Sequence, residues 1–252
     1  MLHYQTIPVT AFEQNCSVLW CDQTQEAAVV DPGGDLDRIT GFIQRKGLQL
    51  KQILLTHAHI DHVGGTSAFR NAMVLASSVT SDLLDQEMPI SAYKAFMPAF
   101  TRGFDELEAI GTRPVSHVID KPAMVTPRIE VIPAAGHTAG DVMVLVEDAD
   151  VLFAGDICFF GVTPLAFQGD VATWAEVLEI AVEMAETIVP GHGPIGGADD
   201  VRALQNYLRA CVAADGDPSA IGAGPWDSWL ERAERDAGQG AGTERIEDAL
   251  LN

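Results

Sequence analysis

The stretch "THAHIDHVGG", Thr56 to Gly65, places three of the chain's seven histidines and an aspartate within six residues: His57, His59, Asp61 and His62. Imidazole and carboxylate are the usual protein ligands of zinc and related divalent ions. His57 and His59 are two apart. On an extended segment such side chains share a face, whereas on a helix they would diverge by about 200°. A His-x-His pair leaving a strand end can therefore grip one ion from one side. Asp61 and His62 follow on a tight turn that Gly64 and Gly65 permit. They can address a second point a few ångströms away.

Four ligands do not complete two sites. His137, Asp156 and His192 supply the remainder, because each directly follows a strand-like run and sits among glycines: "AAGHTAG", "LFAGDI", "VPGHGP". The sum is five histidines and two aspartates, enough for two tetrahedral or five-coordinate ions sharing one carboxylate. His3 and His117 have no such setting and are read as bystanders.

The elements needed to position these residues are legible in outline. Residues 2–9, 16–21 and 26–31 read as short strands, and "DPGGD" as a turn opening a helix that ends at Gly47. The apolar run at 51–56 is a buried strand delivering the histidine cluster. A short helix at 66–71 and a strand at 72–77 follow. Residues 79–108 read as helical. There Tyr93, Phe96, Met97, Phe100 and Phe104 recur at helical spacing, either as the buried face of a helix or as a lid over a cleft. Strands return at 128–133, 142–147 and 150–154, then a helix at 171–185, a strand with a turn through "TIVPGHG", and a helix at 198–214. The end of the chain reads as further helices around a Gly-rich hinge at 238–242. The alternation implies two sheets, each covered by helices.

Composition narrows the function. At 47% hydrophobic and 20% charged residues, the chain has the makeup of a globular protein. Its net charge of −21 argues against nucleic acid as a partner. No apolar run approaches the roughly 18 residues of a membrane span, and the N-terminus has no secretory pattern, so a cytoplasmic location is expected. Four scattered cysteines without a CxxC pair read as free thiols. From Ile129 to Val201 there is no lysine or arginine, although this segment holds the later ligand candidates.

These residues resemble the metallo-β-lactamase superfamily. "HAHIDH" looks like its HxHxDH motif, and the Gly-His, Gly-Asp and Gly-His pairs at 136–137, 155–156 and 191–192 look like its later ligand motifs, in order. The resemblance covers roughly residues 2–200 and implies an α/β (α+β) protein: a four-layer αββα sandwich with a catalytic domain at 1–200 and C-terminal helices at 201–252 packed on or extending it. It implies that His57, His59 and His137 hold one ion, that Asp61, His62 and His192 hold the other, that Asp156 bridges them, and that Asp31 supports the set. The opening "IPVTAFEQNCSVLWCDQTQEAAVVDPGGD" is similar to bacterial glyoxalase II-like proteins, the hydroxyacylglutathione hydrolases.

The implied function is a binuclear hydrolase that cleaves a thioester, ester or lactone with a water activated between two divalent ions, zinc first, with iron or manganese as alternatives. Asp61 would both ligate and act in catalysis. The aspartate at 156 differs from the Cys or Ser usual in true β-lactamases. Three features differ from glyoxalase II: the segment after Asp156 reads "ICFFGVTPLAFQGD" instead of a Gly-Cys-Gly-Arg-like loop, no basic residue lies between 129 and 201, and no Lys-x-x-Arg pair stands in the C-terminal helices. Phe159 occupies the place where lactonases of the superfamily carry a tyrosine. The expected substrate is therefore small, uncharged and partly apolar, in contact with Phe159, Phe160, Tyr93, Phe96 and Phe100. A single-iron dioxygenase on His57, His59 and Asp156, resembling persulfide dioxygenases, and a ring-opening hydrolase of β-lactamase or lactonase type are the alternatives, and a homodimer is compatible with the sequence.

Overall fold

The computed structural model describes residues 1–10, 12–86, 111–215 and 220–221. The first half of the chain gives strands β1 (Leu2–Val9), β2 (Gln14–Cys21) and β3 (Glu26–Val30), helix α1 (Leu36–Lys46), β4 (Gln49–Leu54), the short helix α2 (Ile60–Val63), β5 (Met73–Ala76) and α3 (Ser78–Leu84). The second gives β6 (His117–Val118), β7 (Ala123–Thr126), β8 (Ile129–Pro133), β9 (Val142–Val146), β10 (Val151–Phe159), α4 (Val171–Ala181), β11 (Thr187–His192) and α5 (Ala198–Ala213). Among these, no helix is long and apolar enough to cross a membrane. All four cysteines are free thiols.

Backbone pairing runs β6-β5-β4-β3-β2-β11-β10-β9-β8-β7, with β1 antiparallel on β2. The two halves of this path meet at one pair, His192 with Gln14. They behave as two sheets joined at that point, and their side chains sort into layers with period two. In β3, Ala27 and Val29 face one core while Ala28 and Val30 face another. In β10, Val151 and Phe153 join Ala28 and Val30 between the sheets, while Leu152 and Ala154 face outward. The outer faces are covered by helices. Ile39 and Phe42 of α1 and Leu84 of α3 pack on the first sheet. Trp174 and Leu178 of α4 and Val201, Leu204 and Leu208 of α5 pack on the second. The result is the four-layer αββα sandwich that the sequence implies. Helix α5 spans residue 200 and shares its core with α4.

Local chemistry explains the element ends. Helix α1 stops where Gly47 takes φ 65° and returns its N–H to Gln44 O, the left-handed cap that glycine favours. Ser77 caps α3 by accepting from Thr80 N, and Asp170 caps α4 by accepting from Thr173 N.

The structure departs from the sequence expectation in four places. The helix expected at 66–71 is only a three-residue 3-10 turn, Thr66–Ala68. The helix expected from 79 ends at Leu84, and Tyr93, Phe96 and Phe100 lie outside the described residues. Strands β6 and β7 were not foreseen, because two to four residues are too few to show a period. Asp156 does not follow its strand but lies inside β10. Pairing with β11 shifts register on either side of Gly155, whose φ of 52° turns the backbone without ending the strand.

Parallel pairs place the site. β3 pairs β4 in parallel, as β10 pairs β11. Asp31 follows β3, the histidine cluster follows β4, and Asp156 and His192 occupy the late residues of β10 and β11. All therefore emerge at one edge of the sandwich.

Candidate metal centre

The seven ligand-type residues converge in two groups: His57, His59, His137 and Asp156, and beside them Asp61, His62 and His192. In the first, His59 Nδ1 lies 3.0 Å from His57 Nε2 and 3.2 Å from His137 Nε2. Asp156 Oδ2 stands 3.6 Å from His57 Nε2 and 3.4 Å from His137 Nε2. In the second, His192 Nε2 is 3.3 Å and His62 Nε2 3.8 Å from Asp61 Oδ2. Asp156 Oδ1 lies 3.2 Å from His62 Nε2 and 3.5 Å from His192 Nε2. The two oxygens of Asp156 thus address different groups. Ligands 2.0–2.1 Å from a tetrahedral ion stand about 3.3 Å apart, and these spacings fall around that value.

Hydrogen bonds on the far side of each ring set which nitrogen faces inward. Asp31 accepts from Thr56 N at 2.7 Å through Oδ1, and from Thr56 Oγ1 at 2.6 Å and His62 Nδ1 at 2.9 Å through Oδ2. The Thr56 hydroxyl, having donated to Asp31, is left to accept from His57 Nδ1 at 3.1 Å. His192 Nδ1 donates to Phe12 O at 3.0 Å. His57, His62 and His192 therefore each turn Nε2 to the centre. Gln168 accepts from the side chain of His59. Asp141 braces the His137 loop, accepting from Gly136 N at 3.2 Å, Thr138 N at 2.6 Å and Thr138 Oγ1 at 2.6 Å. Burial raises its pKa to about 7. Gly191 is required by closeness, since a Cβ there would stand 1.9 Å from Asp156 Oδ1.

Charge divides the groups. Burial holds His57 and His59 below the usual imidazole range and brings His137 to about 4. Burial also opposes the charging of His62, but Asp156, Asp61 and Asp31 outweigh it and raise that pKa well above the usual value. His192 is raised for a similar reason, by Asp156 and Asp61. For Asp156, burial is outweighed by His62, His192 and His57, so its carboxyl is held well below the usual range. Asp61 is lowered as well, by His62 and His192 against its burial.

The donor set fits two divalent ions. Buried polar atoms ordinarily find partners, yet His62 Nε2 and Asp156 Oδ1, both aimed inward, have no hydrogen bond. In the first group, where burial keeps the rings neutral, lone pairs turned toward one point cannot satisfy one another. A cation satisfies all of them.

Two expected results arise here. The first equivalent of metal should enter the neutral group of His57, His59 and His137 with little proton release, and the second should displace protons from His62 and His192. Affinity for the second should therefore rise about tenfold per pH unit for each proton displaced. Calorimetric titration in buffers of different ionisation enthalpy measures this, and equal release in both steps would contradict it. Asp31→Asn should weaken the second equivalent by roughly 10–100-fold, because an amide N–H turned toward His62 Nδ1 forces the other tautomer and removes the inward lone pair. Competition with a chelator measures the loss, and an unchanged constant would refute it.

The cleft over these ligands is lined by Phe12, His59, Asp61, His137, Asp156, Leu165, Phe167 and His192. Phe159 and Phe160, expected to touch substrate, are instead core residues at 0% and 2% exposure. Phe159 stacks on the His192 ring, with centroids 5.3 Å apart, and so backs a ligand. Phe12, Leu165 and Phe167 form the apolar wall that sequence reasoning missed, and Phe167 is 53% exposed. His3 stacks on Trp20 and His117 lies on edge strand β6, both outside the two groups.

The family model described as the metallo-beta-lactamase superfamily matches residues 9–192. The chain is 31% identical over 172 residues to hydroxyacylglutathione hydrolase GloC of Haemophilus influenzae, covering 64% of this chain and 74% of that one. It is 28% identical to a probable metallo-hydrolase, YqgX, of Bacillus subtilis, covering 77% and 91%. A hydroxyacylglutathione hydrolase of Shewanella halifaxensis is 31% identical over 168 residues, 66% of this chain but 55% of that enzyme. Among solved structures, the BLEG-1 B3 metallo-beta-lactamase superposes with a TM-score of 0.67 at 24% identity, covering 87% of this chain and 100% of that one.

Proposed function

Because the chain belongs to the metallo-β-lactamase superfamily, we propose that it is a binuclear zinc hydrolase opening a thioester, ester or lactone. The observation that carries this reading is the placement of Asp156, whose two oxygens stand between two complete ligand groups. His57, His59, His137 and Asp156 would hold one divalent ion and Asp61, His62 and His192 a second, and such ions would supply water activation near neutral pH and polarisation of a carbonyl. The chain's own residues do the rest. Asp61, at the cleft surface and held ionised, accepts a proton and orients the attacking oxygen. Phe12, Leu165 and Phe167 exclude water from one side of the reacting carbonyl.

Substrate class follows from charge. Among the described residues no lysine or arginine lines the cleft, and none occurs from Ile129 to Val201 of the sequence. A carboxylate- or phosphate-bearing substrate would find no countercharge among these residues. The similarity to the Shewanella halifaxensis enzyme leaves nearly half of that protein without a counterpart, so its named substrate class is not carried over. We assign an uncharged, partly apolar acyl compound.

The test is metal content measured beside turnover of S-lactoylglutathione, aryl esters, acyl-homoserine lactones and a β-lactam. Two equivalents of metal, with an apolar ester or lactone preferred over S-lactoylglutathione, are expected. One iron per chain with oxygen uptake would overturn the hydrolase reading.

A further inference from the structure

A cavity of about 440 Å³ opens at the end of the sandwich remote from the metal ligands. Its walls are Leu2 of β1, the last residues of β2 with the turn after it, the first of β3, Lys51 and Gln52 midway along β4, and the Thr126–Ile129 turn between β7 and β8. The ligands sit beyond the opposite ends of β3 and β4, roughly 16 Å away at about 3.3 Å per strand residue. The volume is within the range of small-ligand pockets, about 300–1,000 Å³.

The shape has a sequence cause. Between the sheets the packing residues are mostly large: Val30, Leu54, Val144, Phe153. At the start of β3 the inward residue is Ala28, and its small side chain leaves the layers unfilled there. Leu19, Ala28 and Ile129 make an apolar floor. Gln52 spans the sheets beside it, its Nε2 donating to Val125 O at 3.2 Å.

The mouth is different in kind. It carries Lys51 and Arg128 with one carboxylate, Glu26, in a chain with only 15 basic residues and a net charge of −21. Lys51 pairs with Glu26 at 3.8 Å and Arg128 with Asp148 at 3.4 Å. All four side chains are substantially exposed, so these pairs are weak and exchangeable. An apolar chamber with two cations at its opening, each held only by an exposed and exchangeable carboxylate partner, is complementary to a chain-like molecule ending in one anionic group.

We propose that this cavity binds a medium-chain alkyl carboxylate, the chain against Leu19, Ala28 and Ile129 and the carboxylate at Lys51 and Arg128. The site is independent of the metal centre and of the reaction performed there.

Cys21 lines the cavity and is partly exposed. The backbone N–H groups of Thr24 and Gln23 hold its thiol pKa below the usual value, which makes it a reactive reporter. Iodoacetamide labelling is followed by peptide mass spectrometry on the full chain, with Cys211, the other partly exposed thiol, as internal standard. Decanoate at millimolar concentration should slow Cys21 labelling about fivefold or more while leaving Cys211 unchanged. Decanol should protect at least about tenfold more weakly. The Lys51→Glu/Arg128→Glu variant should lose protection, as should Ala28→Leu, which fills the chamber. Ester turnover should be unchanged in the charge-reversal variant. The proposal is overturned if decanoate gives no protection, if Cys211 is slowed equally, if decanol matches decanoate, or if charge reversal has no effect.

Discussion

Asp156→Asn is expected to lower kcat/KM by roughly a thousandfold or more, about 4 kcal/mol of transition-state stabilisation, and to reduce bound metal below two equivalents. The substitution preserves volume and removes charge at the point where the two groups meet. Oδ2 faces His57 and His137 while Oδ1 faces His62 and His192. An amide offers only one good donor atom to a cation, and its N–H₂ would point a proton at one pair of ring nitrogens. Both groups are therefore damaged, and unequally. Without metal, the same change strips His62 of the carboxylate that most opposes the effect of its burial. Removing one partner of a buried charged pair costs on the order of 3 kcal/mol, so the metal-free variant should also unfold at lower denaturant concentration. Elemental analysis, steady-state kinetics and urea unfolding measure the three effects. A variant with two equivalents of metal and activity within tenfold of the parent would show that Asp156 does not link the groups.

The residues that read most clearly in the sequence were those whose chemistry is crowded. His57, His59, Asp61 and His62 announce themselves because four ligand types in six residues have no other economical use, and His137, Asp156 and His192 because a ligand type stands among glycines after an apolar run. The supporting residues were harder to read for a physical reason. Thr56, Asp141 and Gln168 are common side chains whose roles come from what folds beside them. Asp156 was expected in a turn because the apolar run ends at Ala154, and a pattern of side chains cannot show that Gly155 takes a positive φ and lets the strand continue. Aromatic content misled in the same way. Phe159 and Phe160 told correctly that the segment is apolar, but not which way it faces. Both went into the core, while the cleft wall came from Phe12, almost 150 residues earlier in the chain, with Leu165 and Phe167. The layered sheets were readable because Ala27–Val30 of β3 and Val151–Ala154 of β10 are unbroken apolar runs that must bury both faces.

Asp61→Asn should separate ligation from proton transfer. Asp61 Oδ2 lies near both His192 and His62, and the residue lines the cleft, so it is placed both to hold the second ion and to touch the reacting atoms. If it only ligates, the variant should bind the second equivalent weakly and recover its activity when that metal is supplied in excess. If it also accepts a proton, activity should stay about 10²–10⁴-fold low at full occupancy. We expect the second result. Its carboxyl is lowered by His62 and His192 against the effect of burial, so it is ionised throughout the neutral range and available as an acceptor. The loss should fall on kcat and kcat/KM alike with KM nearly constant, because the missing interaction arises in the transition state and not in substrate binding. The first equivalent, on His57, His59 and His137, should be retained, which distinguishes this variant from Asp156→Asn. Asp61→Glu restores charge but moves it by one methylene, so it should recover metal more completely than turnover. Full recovery of turnover by Asp61→Asn under saturating metal would leave Asp61 a ligand and nothing more.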